Sequence, residues 1–455
     1  MVRLISDFNG LYGQDSHEYL RFSRRLAEFF LSGRPPGDYF WPVNFPLSGA
    51  LFSFVVPGDI FARQLISIVS FVCLQVYIFK LIHMLYSPEQ KGTVYLYICL
   101  FSILSPFFFQ AAFLIMSDML ATCFMTAAVY HILAYRQRLN STDFLIAVFC
   151  TASAIMTRYP TTVILWLPGF LLAKAFLSNF RLRNFLLALA IFIVCLLPHF
   201  LVRGSGSAEF LGHSFLQNWS VSHWFLSEFV NVDGYHQYFF PNLIYSLSNF
   251  FYPGYFFIGI ALVFFLRKSD VVQLENQVIL ASVFIYVIFL AGLPYQNMRY
   301  LLIPFPLVVV AMFPAFQRFS EKLLKVRSRK ILFFVTVILL QVFLIRKYST
   351  AIYEANQLEK QIHQVIKTQP ERPLYSFAMD VALLSYSIEN KIVNLWSERI
   401  HSVEMDALIL FNEQQFARQM AEKNPMLNWR FIQENYELEI LQKFSNGWIL
   451  YSVGN

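Results

Sequence analysis

Along most of this chain the apolar positions neither alternate nor recur at helical spacing. They run on unbroken, over lengths that suit helices solvated by lipid. Runs long enough to cross about 30 Å of hydrocarbon lie at Ile60–Leu85, Thr93–Met116, Met119–Tyr135, Phe144–Thr157, Thr161–Leu177, Phe185–Val202, Leu247–Leu266, Val278–Leu293, Tyr300–Phe316 and Ile331–Ile345. The pattern predicts ten transmembrane helices. Three stretches break it. Residues 7–59 carry an amphipathic set, Tyr19, Leu20, Phe22, Leu26, Phe29 and Phe30, followed by RPPGDYFWPVNFP, which predicts helices lying at the membrane interface. Residues 203–246 begin with GSGS and continue with interleaved aromatics, the mark of a loop. From Ile352 an amphipathic helix leads into short β-like runs at Leu374–Phe377, Ile392–Leu395, Ala407–Phe411, Leu438–Leu441 and Trp448–Tyr451. The expected architecture is an α-helical polytopic membrane protein: a first outer loop (1–59), a transmembrane domain (60–348, including the loop 203–246) and a small extracytoplasmic α/β domain (349–455).

Composition agrees with lipid as the main solvent. The 455 residues are 57% hydrophobic, 18% aromatic and 14% charged, which excludes an ordinary soluble domain and a disordered chain alike. The net charge of +7 would suit a nucleic-acid binder, but its distribution assigns it to topology. One set of loops holds thirteen basic residues: Lys91, Arg136, Arg138, Arg181, Arg183, Arg267, Lys268, Arg318, Lys322, Lys325, Arg327, Arg329 and Lys330. The alternate set holds five: Arg158, Arg203, Arg299, Arg346 and Lys347. The first set is expected in the cytoplasm, which turns the first loop, the 203–246 loop and the C-terminal domain outward from a plasma (inner) membrane. No nucleic-acid partner is expected. The five cysteines lie within apolar runs without a CxxC pair, so neither disulfides nor thiolate metal sites are expected. The outward first loop precedes any exporting segment. The expectation is an eleventh helix upstream, with Met1 internal to the gene; the other possibility is that the following helix pushes the tail across.

Four ionisable residues sit at the outer boundary, where charge is costly: Asp15 in GQDSHEYLRFSRRL, Asp118 in LIMSDMLAT, Arg158 in MTRYPTT and Arg299 in NMRYLLIPFP. Each has a plain structural reading. Asp15 with Glu18 has capping-box spacing, Asp118 reads as a helix N-cap, and each arginine reads as an anchor snorkelling to headgroups. Together they suggest chemistry. A partly desolvated carboxylate is a general base for a hydroxyl, and the planar guanidinium fork suits a phosphate. No GxxxxGK[ST], GxGxxG or cytoplasmic nucleotide domain accompanies them, so the activated donor must be carried by lipid.

The block DSHEYLRFSRRL, with Asp15 and Tyr19 four apart, resembles the DExxY-type first outer loop of GT-C glycosyltransferases of the protein O-mannosyltransferase and aminoarabinose transferase kind. The Ser117–Asp118 pair, the RYP at Arg158 to Pro160 and RYLLIPFP at Arg299 to Pro306 fall in the expected order. The resemblance spans nearly the whole chain. It implies transfer of a sugar from a polyprenyl-phosphate donor to a hydroxyl or amine on a protein, glycolipid or glycan acceptor. Asp15 would be the acceptor-activating base and Asp118 a second acid near the acceptor. Arg158 and Arg299, with Tyr300 beside them, would hold the departing phosphate, and Glu18 and Tyr19 would complete the substrate site. Ser16 stands where the motif has an acid.

Direct displacement at the anomeric carbon would invert configuration. A phosphate neutralised by arginines is already an adequate leaving group, so the chemistry requires no cofactor. A divalent metal is not indicated: His213, His223 and His236 are too widely spaced for a local pair and read as loop residues. The rival functions are a glycan polymerase or ligase and a transporter or flippase for a lipid-linked substrate. The latter would call for internal repeats, which are absent from the sequence.

Overall fold

The computed structural model describes residues 7–203, 217–231 and 234–454, and the chain divides into two compact units. Residues 22–226 and 240–349 build one; the chain up to residue 21, residues 227–239 and residues 350 onward build the other.

The first unit is a helical bundle. Among the described residues six helices are long and apolar enough to cross a bilayer: Asp59–Tyr86, Ser117–Arg138, Thr161–Ser178, Leu182–Arg203, Leu274–Ala291 and Arg327–Thr368. The chain is therefore a multi-pass membrane protein. Leu182–Arg203 reveals the solvent, because its buried residues are Asn184 and His199 while Leu186, Phe192, Val194 and Leu201 are exposed. An apolar outside with a polar inside is stable only against hydrocarbon. Phe305–Leu323 is the opposite case: every residue from Phe305 to Phe316 is buried, and the helix forms part of the bundle core. The expected span Phe144–Thr157 lies within the 17-residue helix Ser141–Thr157.

Two expected spans are interrupted. Thr93–Met116 divides into Lys91–Ile98, a π-helical turn at Cys99–Ile103 and a helix Pro106–Ala112 bent 77° away. Leu247–Leu266 is not one helix: a 3-10 turn at Ser248–Phe250 and a short helix Gly259–Val263 flank a turn through Tyr252, Pro253 and Gly254. Pro106 and Pro253 each lack the amide hydrogen that a continuing helix would use. The breaks dock on each other. The Gly254 carbonyl accepts from the Phe107 amide at 3.0 Å and from the Ser105 hydroxyl at 3.2 Å. A Cβ on Gly254 would overlap the Phe107 ring, so only glycine permits this approach. Broken backbone inside a membrane protein persists where protein supplies the partners, as here.

The expected last span and the amphipathic helix after it are one 42-residue helix, Arg327–Thr368. No proline or glycine lies between Ile331 and Thr368 to stop it, and Arg346 and Lys347 are compatible with helix.

The second unit is the small α/β domain that the alternation predicts. Its mixed sheet has the order β4-β3-β5-β7-β6. β3 (Leu374–Ser376) pairs in parallel with β4 (Ile392–Asn394) and β5 (Leu408–Phe411), while β7 (Ile449–Val453) runs antiparallel to β5 and to β6 (Leu438–Lys443). All four residues of β5 are buried, as a central strand covered on both faces requires. Trp429, on the helix Asn424–Asn435, packs at 4.9 Å on Phe411. A hairpin of β1 (Glu228–Asn231) and β2 (Gly234–Gln237) belongs to the same unit. So does the start of the helix Gly13–Ser32, whose Tyr19, Leu20, Phe22 and Leu26 are buried and whose Phe29 and Phe30 are exposed.

Candidate functional site

Asp118 lies in the first turn of the helix Ser117–Arg138 and is 1% exposed. It is not the N-cap that its sequence position suggested. Met116 caps in extended conformation without a side-chain bond, which leaves the Asp118 carboxylate near the positive end of the helix dipole. The chain before it is held by the helix Asp59–Tyr86, whose Gln64 amide donates to the Phe113 carbonyl at 2.8 Å and whose Ser67 hydroxyl donates to the Leu114 carbonyl at 2.6 Å.

Arg158 ends the helix Ser141–Thr157 in extended backbone; Pro160 follows, and the Thr161 hydroxyl donates to the Arg158 carbonyl at 2.8 Å. Arg299 stands in the 3-10 turn Met298–Leu302, capped by Asn297, whose side chain accepts the Arg299 amide at 3.0 Å. Both arginines reach Asp118. Arg299 donates to Oδ2 from Nε at 3.0 Å and from Nη2 at 2.8 Å, and Arg158 pairs with Oδ1 through Nη1. The Arg158 guanidinium lies 5.1 Å from the centre of the Tyr300 ring, within cation–π range. Thus Asp118, Arg158, Arg299 and Tyr300 form one cluster. One carboxylate is thus held by two guanidiniums, one on each of its oxygens. The arginine side chains are 12% and 24% exposed, so neither is a headgroup anchor reaching away from the protein.

The turn that carries Arg299 and Tyr300 is fastened by residues the sequence did not single out. Tyr245 donates to the Asn297 carbonyl at 2.5 Å, Tyr286 to the Tyr300 carbonyl at 3.1 Å and Asn249 to the Leu301 carbonyl at 3.0 Å, and Tyr255 donates to the Met298 carbonyl. All four are buried. Such a shell fixes a short turn at a depth where water does not satisfy its carbonyls.

Asp15, Glu18 and Tyr19 belong to the other unit. Their helix starts at Gly13, so half-buried Asp15 stands in its first turn and is not its N-cap. Glu18 pairs with Arg21 at 2.7 Å, and the Ser16 hydroxyl accepts the Tyr12 amide at 2.7 Å. Tyr19 is 6% exposed. In the same unit Asp380, 7% exposed, accepts from Asn394 at 2.7 Å, and burial pushes its carboxyl above the usual carboxylate range. His223 bonds the Gly292 carbonyl at 2.9 Å in the first unit, His236 lies on β2 in the second, and His213 is outside the described residues. Among the described residues no three His, Cys, Asp or Glu are grouped to hold a metal.

Residues 42–201 match the family model described as dolichyl-phosphate-mannose-protein mannosyltransferase, a stretch that includes Asp118 and Arg158. Among curated proteins no sequence match is found. Solved structures are similar over nearly the full chain. ArnT from Cupriavidus metallidurans bound to undecaprenyl phosphate superposes with TM-score 0.59 at 14% identity, covering 97% of this chain and 94% of that one. The apo state of the same protein gives 0.59 at 13% identity with the same coverage. The archaeal oligosaccharyltransferase AglB from Archaeoglobus fulgidus, in complex with an inhibitory peptide and a dolichol-phosphate, gives 0.51 at 10% identity, covering 97% of this chain and 70% of that one. The fold is the GT-C fold of these proteins.

Proposed function

We propose that this chain is a membrane glycosyltransferase that moves a sugar from a polyprenyl-phosphate carrier to a hydroxyl or amine acceptor on the outer side of the membrane. The observation that carries the reading is the Asp118–Arg158–Arg299 cluster, a buried carboxylate gripped by two part-buried guanidiniums of the kind that suits a phosphate. The family match and the likeness to ArnT, which binds undecaprenyl phosphate, support the same donor class.

In this reading the acceptor heteroatom attacks the anomeric carbon as the bond from that carbon to the phosphate oxygen breaks. The bonding pair leaves on the phosphate, and the acceptor proton passes to Asp15. The donor phosphodiester carries one negative charge and the departing monoester about −1.5 to −2. Charge therefore grows during the reaction at the atoms the arginines face, where preorganised donors lower the barrier most. Asp118 acts as the counter-ion that aims both guanidiniums, a different part from the acceptor-side acid the resemblance implies. Attack opposite the phosphate inverts the anomeric configuration.

Protein in lipid vesicles, supplied with labelled polyprenyl-phosphate sugars, tests the reading. Release of polyprenyl phosphate, by transfer or slow hydrolysis, is expected from the wild type. Passage of intact labelled lipid across the vesicle without cleavage would favour a flippase and overturn it. For orientation, a cysteine near Glu413 should react with an impermeant thiol reagent in intact cells while one near Lys325 stays protected.

A further inference from the structure

His17 lies two residues beyond Asp15 on the same helix and is 1% exposed. Its ring joins two distant parts of the second unit: Nδ1 is 2.7 Å from Ser385 Oγ, and Nε2 is 3.0 Å from Glu359 Oε2. The Ser385 hydroxyl also reaches the Ala382 carbonyl at 2.7 Å, so the bridge continues into the backbone of the helix Asp380–Ser385.

The neighbours of this bridge hold the same piece of chain. Asn356 donates to Asn9 Oδ1 at 2.7 Å and to the Leu11 carbonyl at 2.9 Å, and Lys360 donates to the Asp7 carbonyl at 2.5 Å. The Tyr386 ring stands edge-on to His17 at 5.8 Å and stacks on His363 at 4.9 Å. An apolar side chain at position 17 would bury as well. What the imidazole adds is direction, because two bonds from opposite edges of a flat ring fix the rotation and the axial position of its helical turn.

We propose that His17 is a positioning residue: through Glu359 and Ser385 it sets the register of the turn that carries Asp15, and so aims the base. The inference rests on the reading of Asp15 as that base. Displacing a reacting group by about 1 Å can cost about a hundredfold in rate.

The test uses the full chain in lipid vesicles, with rates expressed per folded molecule. His17→Gln should lower kcat by about tenfold or more with the KM for polyprenyl-phosphate sugar unchanged; Glu359→Gln, which keeps size and an acceptor oxygen, should fall between it and the wild type. In an Asp15→Asn background, His17→Gln should slow the residual reaction no further, because nothing remains to aim. Should His17→Gln prevent folding, Glu359→Gln and Ser385→Ala carry the same test. A wild-type kcat in these variants, or effects of Asp15→Asn and His17→Gln that multiply, overturns the positioning role and leaves a structural one. A fully active Asp15→Asn protein overturns the base assignment itself, a failure separable from that of His17.

Discussion

Asp118 and Glu359 are both buried carboxylates, 1% and 8% exposed, and each draws its partners from far along the chain. They differ in the groups that hold them. Asp118 is gripped by two guanidiniums, one on each oxygen. Glu359 meets an imidazole whose other nitrogen bonds a serine. Burying charge is expensive in both places. A guanidinium carries five N–H donors in a planar fork, a geometry that suits a phosphate, whereas an imidazole has two ring nitrogens and both are engaged here. The first arrangement makes sense as a place to receive an anion, and the second as a fastening.

The comparison can be broken most forcefully at Asp118. Asp118→Asn leaves two largely buried guanidiniums without their counter-ion and should destabilise the helical unit by about 3–5 kcal/mol, read as a lowered unfolding midpoint and poor yield of inserted protein. Asp15→Asn tests the chemistry instead. Its helix start is served by Ser16 and Tyr12, so folding and donor binding should hold while turnover drops by at least about a hundredfold. Arg299→Lys sharpens the argument from guanidinium geometry. It preserves charge but loses the two-nitrogen grip on Asp118 Oδ2, so donor use should weaken by about tenfold, the worth of roughly one lost charge-assisted bond. The smallest effect concerns Asp380. Its folded carboxyl keeps its proton above the ordinary value of 3.8 because burial disfavours the charge. The folded state then binds more protons, so the stability this group contributes is complete below 3.8 and is lost as pH rises through the folded value. Asp380→Asn should lack that decline and be more stable than the wild type near pH 7 by about 1 kcal/mol, read as a higher unfolding temperature, with the two proteins converging on acidification.

Much of this was legible along the sequence. Unbroken apolar runs gave the membrane unit, and the four costly charges brought Asp118, Arg158 and Arg299 forward before any contact between them was visible. The tyrosine shell was hidden because Tyr245, Tyr255 and Tyr286 read as apolar residues among many aromatics, and a hydroxyl's partner cannot be seen from its neighbours in sequence. The capping expectations failed on a shift of one or two residues: a helix beginning at Ser117 instead of after Asp118, or at Gly13 instead of after Asp15, moves a carboxylate from cap to first turn. The His17 bridge lay beyond reach altogether, since its partners are 342 and 368 residues away.

The cluster around Asp118 also imposes an order in time. Arg299 is 181 residues downstream of Asp118, an interval of about 9–36 s at a synthesis rate of about 5–20 residues per second. Until then the Ser117–Arg138 helix can meet Arg158, which lies earlier in the chain, but not Arg299, so the two-sided grip on Asp118 closes only when the second half of the chain arrives.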